Sequence, residues 1–101
     1  MALQMFSEKD PGETASYAMD FSPTLASGET ISSSSVGVST YSGTDASPSA
    51  LLSGSSGVTG SLVQQALTGG SDGVTYRVRF VATTSASRVL VACGYLPVNN
   101  Q

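Results

Sequence analysis

The stretch Val74-Thr75-Tyr76-Arg77-Val78-Arg79-Phe80-Val81-Ala82-Thr83 decides the fold class of this 101-residue chain. From Val74 to Ala82 every second residue is apolar, and most of the positions between them hold Thr or Arg. Successive side chains of a β-strand point to opposite faces, so this alternation predicts a strand with one buried face and one face toward water. Such a strand is stable only when its apolar face packs against a second layer of structure.

Weaker versions of the same pattern predict further strands earlier in the chain. Tyr17, Met19 and Phe21 share one face of a strand that ends before Pro23. Residues 29–40 are rich in Ser, Thr and Val, which favours a long, solvated outer strand. Residues 41–61 are interrupted by glycine and proline and predict one short strand, and residues 62–67 predict another.

The last apolar run, residues 88–93, is expected to pair with the quoted strand. We expect Val89, Val91 and Cys93 to line up opposite the core face of that strand. Residues 95–98 extend the run, and Pro97 indicates an edge strand because proline has no backbone N–H to donate.

Turn signals about every ten residues, without any helical period, predict an all-β fold. The expected architecture is an antiparallel β-sandwich of about six to seven strands in two sheets. The chain has the length of a single domain. We expect residues 1–16 to form an extended N-terminal arm or an edge segment, residues 17–98 the sandwich and residues 99–101 a flexible tail.

A glycine-rich break, Gly69-Gly70-Ser71-Asp72-Gly73, precedes the quoted strand. Gly69, Gly70 and Gly73 can adopt backbone conformations that other residues avoid, so the chain is expected to reverse here as a hairpin. Tyr76 follows at the position where sandwiches often carry a tyrosine whose hydroxyl bonds to backbone upstream. That structural role and an ordinary buried tyrosine are both open at this point.

Composition excludes several classes of function. Seven acids and four bases give a net charge of −3, so the chain has no positive field to hold a nucleic acid. The single cysteine, Cys93, cannot form an intrachain disulfide. No apolar run is long enough for a secretory signal or a membrane span, so we expect no membrane partner and a protein made in a cytoplasm.

The residues that most enzymes need are also missing. The chain has no histidine and no G-x-S-x-G motif, which removes the usual general base and the common serine-nucleophile arrangement. Cys93 lies in an apolar run without a nearby cationic residue and is interpreted as a small core side chain. Glu8, Asp10 and Glu13 do not match the spacing of a calcium loop. We therefore predict no catalysis, no metal and no cofactor.

Four residues are candidates for contact with other proteins. Arg77 and Arg79 project from the outer face of the predicted strand and either form a solvated surface or pair with acids of a neighbouring subunit. Tyr41 and Tyr95 are interface candidates by residue type, with core packing as the alternative.

A series of motifs from about Lys9 to Val98 resembles small proteins of tailed bacteriophages and prophages, of the fiber-tail adaptor or head-tail region family. No single motif is specific; the ordered set carries the resemblance. The motifs are Lys9-Asp10-Pro11, Tyr17-Ala18-Met19-Asp20-Phe21-Ser22, Gly28-Glu29-Thr30-Ile31-Ser32-Ser33, Leu67-Thr68-Gly69-Gly70, Gly73-Val74-Thr75-Tyr76-Arg77-Val78, Ala82-Thr83-Thr84-Ser85 and Gly94-Tyr95-Leu96-Pro97-Val98.

The resemblance implies an immunoglobulin-like sandwich and a structural, non-catalytic role in the virion, at the neck, collar or fiber-attachment region. Its implied partners are other phage virion proteins of the neck, tail or fiber, contacted by multiple copies in a symmetric assembly, after synthesis in the bacterial host cytoplasm. The family often has tryptophan where Phe21 and the pair Ala66-Leu67 stand here. Two rival functions are a head-decoration protein on the capsid and a carbohydrate-binding surface module; the absence of tryptophan weighs against the second.

Overall fold

The computed structural model describes residues 2–6, 9–45 and 47–99. In these ranges the fold is all-β, as the sequence predicts, with seven strands and one short 3₁₀ turn. The strands are β1 (Ala2–Met5), β2 (Thr14–Asp20), β3 (Ile31–Ser42), β4 (Leu52–Thr59), β5 (Leu62–Thr68), β6 (Val74–Thr84) and β7 (Val89–Val98), and the 3₁₀ turn is Pro48–Leu51.

The strands form two sheets. One has four strands in the order β1-β7-β6-β3, and the other has three in the order β2-β5-β4. Neighbouring strands are antiparallel except β1, which runs parallel to β7. Apolar side chains of both sheets meet in one core cluster, so the predicted two-layer arrangement of mainly antiparallel strands is confirmed.

The core face of β6 is the one that the alternation predicts. Its five apolar residues at even positions are all at least 95% buried. Facing them from the second sheet are Met19, Val63 and Leu67, which are also buried. Burying a large apolar side chain contributes about 1.5–3 kcal/mol, so this layer is a main source of stability. Phe21 and Leu67, at the positions where the resembling family often has tryptophan, are both buried here.

The predicted core face of β7 is wrong. The cluster takes the even-numbered side chains Ala92, Leu96 and Val98, whereas Val89 is 62% exposed. The reason is the register: even residues of β7 pair with even residues of β6, as in Phe80↔Ala92, and directly opposed residues share a face. Pro97 is not in an edge strand either, since β7 lies between β1 and β6.

The glycine-rich break at residues 69–73 does not form the expected hairpin. β5 and β6 lie in different sheets, so the break carries the chain across the sandwich from one layer to the other. The hairpins that the structure contains connect β4 to β5 and β6 to β7.

The N-terminal segment contributes an edge strand to the four-stranded sheet. β1 pairs with β7, the Phe6 ring is in the core, and β2 already begins at Thr14. At the other end, the Asn99 N–H donates to the Lys9 carbonyl at 2.9 Å. The remaining positions of the predicted tail, residues 100 and 101, lie outside the described residues.

Candidate protein-binding site

Tyr76 connects three parts of the chain at the end of the sandwich. Its ring is completely buried, and its hydroxyl accepts a hydrogen bond from the Ser71 N–H at 2.8 Å. The same hydroxyl donates to Asp45 Oδ2 at 2.5 Å. This hydrogen bond is the first cause of a lowered pKa at Asp45, and burial is the first cause of a raised pKa at Tyr76. The arrangement fixes the crossing between the sheets.

The glycines of this crossing have a steric role. Gly69, Gly70 and Gly73 all have positive φ angles, at 70°, 102° and 82°. At Gly70 a Cβ would lie 3.0 Å from Val98 Cγ2, so both the backbone conformation and the space favour glycine.

Lys9 has a structural role that no local pattern of residues predicts. It is fully buried, and its Nζ donates to the carbonyl of Gly69 at 2.7 Å and to that of Asp10 at 2.9 Å. Burial lowers the pKa of this amine, against the opposing effect of the carboxylates of Glu13 and Asp10. The lysine thus ties the segment before β2 to the crossing between the sheets.

The outer face of the four-stranded sheet collects all four predicted interface residues. Register places Ser39, Arg77 and Tyr95 side by side across β3, β6 and β7. Arg79 follows two positions along β6, on the same face. We call this surface the outer face; it is formed by the odd-numbered residues of β6 and β7 and by those of β3 from Ser33 onward.

Two aromatic rings are in contact on the outer face. The ring centroids of Tyr41 and Tyr95 are 4.5 Å apart, and Tyr41 is 64% exposed. The structure therefore places Tyr41 on the surface and not in the core. Val89, another exposed large apolar side chain, lies at the other end of the same face.

The two arginines differ in their surroundings. Arg79 is exposed, whereas Arg77 is half-buried and its Nη2 lies 3.4 Å from the Cys93 sulfur. The expectation that Cys93 has no cationic neighbour is therefore wrong. The register between β6 and β7 places Arg79 opposite Cys93 and Arg77 diagonally beside it on the outer face. The contact with Cys93 raises the pKa of Arg77.

The charged residues in the strands of the four-stranded sheet are all cationic. β1, β3, β6 and β7 contain no Asp or Glu, and their only charged residues are Arg77 and Arg79. The chain as a whole has seven acids. The four-stranded sheet is therefore the cationic side of an acidic protein.

Other kinds of site find no support in the described part of the chain. No group of three His, Cys, Asp or Glu residues lies close enough together there to hold a metal ion. A cleft of about 210 Å³ lies beside the start of β7, and its one acid, Asp20, already accepts hydrogen bonds from Ser22 and Ser61. None of the described helical turns has the length and apolar character of a membrane span.

Comparison with known proteins assigns the chain to a family. Residues 9–97 match the family model described as podophage GP4 fiber-tail adaptor protein gp77. No curated protein matches the sequence. Members of this family are structural proteins of the phage virion and not enzymes. The match spans both sheets and the crossing between them, so the chain belongs to the podophage fiber-tail adaptor family.

Proposed function

We propose that this protein joins a fiber to the tail of a podophage particle by docking its outer face onto an acidic surface of another virion protein. The observation that carries the proposal is the composition of that face: two tyrosines and two arginines on a sheet without acids. Tyrosine and arginine are the residue types that most often dominate binding energy at interfaces.

The charge of the outer face indicates the chemistry of the partner. Arg79 is exposed and has no acid on its own sheet to neutralise it, so a carboxylate of another protein can pair with it. A complementary acidic partner is attracted to this side, whereas the acidic remainder of the chain repels it.

The size of the outer face sets the strength of a single contact. Its three strands are 10 to 12 residues long. At a spacing of about 4.8 Å they give a face of about 500 Å². Stable complexes usually bury about 800 Å² on each partner, so one copy alone forms a modest interface. Several copies in one symmetric assembly would multiply such contacts into a durable attachment.

We also propose that the fold is immunoglobulin-like. The sheet order β7-β6-β3 corresponds to strands G, F and C of that fold, and β2-β5-β4 corresponds to B, E and D. The hydrogen bond between the Tyr76 hydroxyl and the Ser71 N–H supports the same assignment, since these sandwiches often have a tyrosine at this corner. In the particle, we place the protein at the fiber-attachment region of the neck or collar.

Binding measurements with the fiber and tail proteins of the same phage test the proposal. Isothermal titration calorimetry should show binding to one of them, weakened about tenfold or more by Tyr41→Ala or Arg79→Ala. Val58→Ala is the matched control, because Val58 is also exposed, at 39%, but lies on β4 of the other sheet. Full binding by both outer-face variants, or loss of binding only in the control, would contradict the proposed surface.

Imaging and glycan binding test the two rival functions. Antibody or gold label on this protein should appear at the single tail vertex in negative-stain images of particles. Label over the whole shell would indicate a head-decoration protein, and saturable binding to a glycan array would indicate a carbohydrate-binding module. Either result would overturn the adaptor proposal.

A further inference from the structure

We propose that two copies of this protein pair edge to edge through β3, antiparallel and centred on Gly37, so that their four-stranded sheets join into one. The pairing is a property of this chain alone and does not depend on which protein the outer face binds.

The first observation is that β3 is a long edge strand whose backbone pairs on one side only, with β6. On its other side the Ser34 hydroxyl lies 2.7 Å from that of Ser56 on β4, a contact between side chains. β3 is the last strand of its sheet and runs for 12 residues without a charge or a proline. Proteins usually protect edges with short strands, charges, proline or bulges, because unpaired N–H and C=O groups invite another strand. The register breaks of β3 lie near its ends and leave Ser33–Thr40 regular.

The other three edges carry such protection. β1 has four residues, and β2 ends in the charged Asp20. β4 has a register break between Ser53 and Gly57, with Gly54 at a φ of 74°. The contrast singles out β3.

The second observation is that the amino-acid sequence in the middle of β3 is palindromic. Residues 35–39 are Ser-Val-Gly-Val-Ser, and the flanking residues Ser34 and Thr40 both carry a hydroxyl on Cβ. A twofold interface needs a surface that is complementary to itself. In an antiparallel pair centred on Gly37, Val36 lies opposite Val38 of the second copy, and Ser35 lies opposite Ser39.

The third observation concerns the direction of the backbone groups. The Tyr95 carbonyl accepts a hydrogen bond from the Phe6 N–H at 2.8 Å, on the β1 side of β7. The backbone N–H and C=O groups of odd-numbered residues of β7 therefore point toward β1, and those of even-numbered residues point toward β6. Even residues of β6 pair with these, as in Phe80↔Ala92, which leaves the odd residues of β6 to bond with β3.

The odd residues of β6 pair with odd residues of β3, as in Gly37↔Arg79. The even residues, among them Val36 and Val38, therefore point N–H and C=O toward the free edge. Centring on Gly37 brings these even residues into the hydrogen-bonded positions and would form roughly eight backbone hydrogen bonds from Ser34 to Thr40.

The pairing has a consequence for the outer face. The twofold axis of an antiparallel strand pair runs perpendicular to the sheet, so the outer faces of the two copies point the same way. Two clusters of tyrosine and arginine would then form one continuous surface of about twice the area, which brings the modest single interface into the usual range.

Charge-reversal variants test the register. Ser35 and Ser39 are both exposed, and each lies opposite the other across the proposed pair. The wild type should elute as a dimer of a 10.2 kDa chain in size-exclusion chromatography with light scattering. Ser35→Lys with Ser39→Lys should be monomeric, as should Ser35→Glu with Ser39→Glu, and mixing the two should restore a dimer.

Ser35→Lys with Ser39→Glu adds the same number of charges but places opposite charges together, so it should remain dimeric. Ser16→Lys with Ser55→Lys is the control for added positive charge, since both residues are exposed on the other sheet. A wild type that is monomeric at millimolar concentration, or a doubly lysine-substituted β3 that stays dimeric, would overturn the proposal. Circular dichroism verifies that each variant is folded.

A cysteine at the twofold axis gives a second test. Gly37→Cys puts two thiols across a pair whose Cα atoms are about 4.5 Å apart, which is within the range of a disulfide. A Cβ at Gly37 meets no atom within 4 Å, so the substitution fits. Mild oxidation should convert this variant to a covalent dimer much faster than Ser35→Cys or the wild type with its buried Cys93. Equal rates for Gly37→Cys and Ser35→Cys would refute the register.

Discussion

Replacing Tyr76 with phenylalanine tests how the crossing between the sheets is held. The substitution keeps the buried ring but removes the hydroxyl that bonds to Ser71 and Asp45. A neutral hydrogen bond contributes about 1 kcal/mol and one to a carboxylate about 1.5–3 kcal/mol. Ser71 is exposed and Asp45 is half-buried, so water replaces part of what is lost. We expect the free energy of unfolding to fall by about 2 kcal/mol, which lowers Tm by about 8–16 °C in a domain of this size.

Urea unfolding followed by circular dichroism measures this effect. The m-value should be unchanged, because the surface exposed on unfolding stays the same. Tyr17→Phe is the matched control, since no hydrogen bond to its hydroxyl is found among the residues that the structure describes, and it should change stability by less than about 0.5 kcal/mol. A loss below about 0.5 kcal/mol for Tyr76→Phe would refute the reasoning. The pKa of Asp45 should also rise in this variant, as NMR titration can show.

Two further predictions concern other parts of the fold. Hydrogen bonds from Arg88, and then from Ala26 and Thr84, lower the pKa of Glu29 from its ordinary 4.5 to about 2. The stability that Glu29 contributes is therefore complete above pH 4.5 and is lost as pH falls toward 2; urea midpoints across this range should fall more for the wild type than for Glu29→Gln. Gly94→Ala should destabilise by about 1–3 kcal/mol, because a Cβ there would lie 2.7 Å from Phe6 Cζ. Gly37→Ala should have almost no effect, because a Cβ there meets no atom within 4 Å. Thermal melts of the two variants measure the difference, and equal losses would contradict the packing described for Phe6.

The fold was predictable where a single pattern was unambiguous. The alternation from Val74 to Ala82 predicts the core face of β6 correctly. The prediction for β7 chose the wrong face, because residues 89–93 are apolar on both faces of the strand. Only the register of β7 with β6 decides which of the two faces packs in the core. The glycine-rich break predicts a reversal of the chain, but the local sequence does not indicate which sheet the next strand joins. The expected hairpin is therefore a crossing between the sheets instead.

The candidate site was predictable only in part. The alternation along β6 placed Arg77 and Arg79 on the outer side of the strand, whereas residue type alone left Tyr41 and Tyr95 open between an interface and core packing. The contact between Tyr41 and Tyr95, and the proximity of Arg77 to Cys93, join residues distant in sequence and depend on strand order. The burial of Lys9 had no local signal, since a lysine beside Asp10 and Pro11 is typical of a solvated turn.

Photocrosslinking in assembled particles tests the central claim most directly. Phage would be produced with a photoreactive phenylalanine derivative in place of Tyr41, and with the same residue in place of Val58 as the control. Irradiation should link position 41 to a fiber or tail protein, identified by mass spectrometry, and position 58 should give little product. Efficient crosslinks from position 58 with none from position 41 would show that the outer face is not the surface by which this adaptor binds.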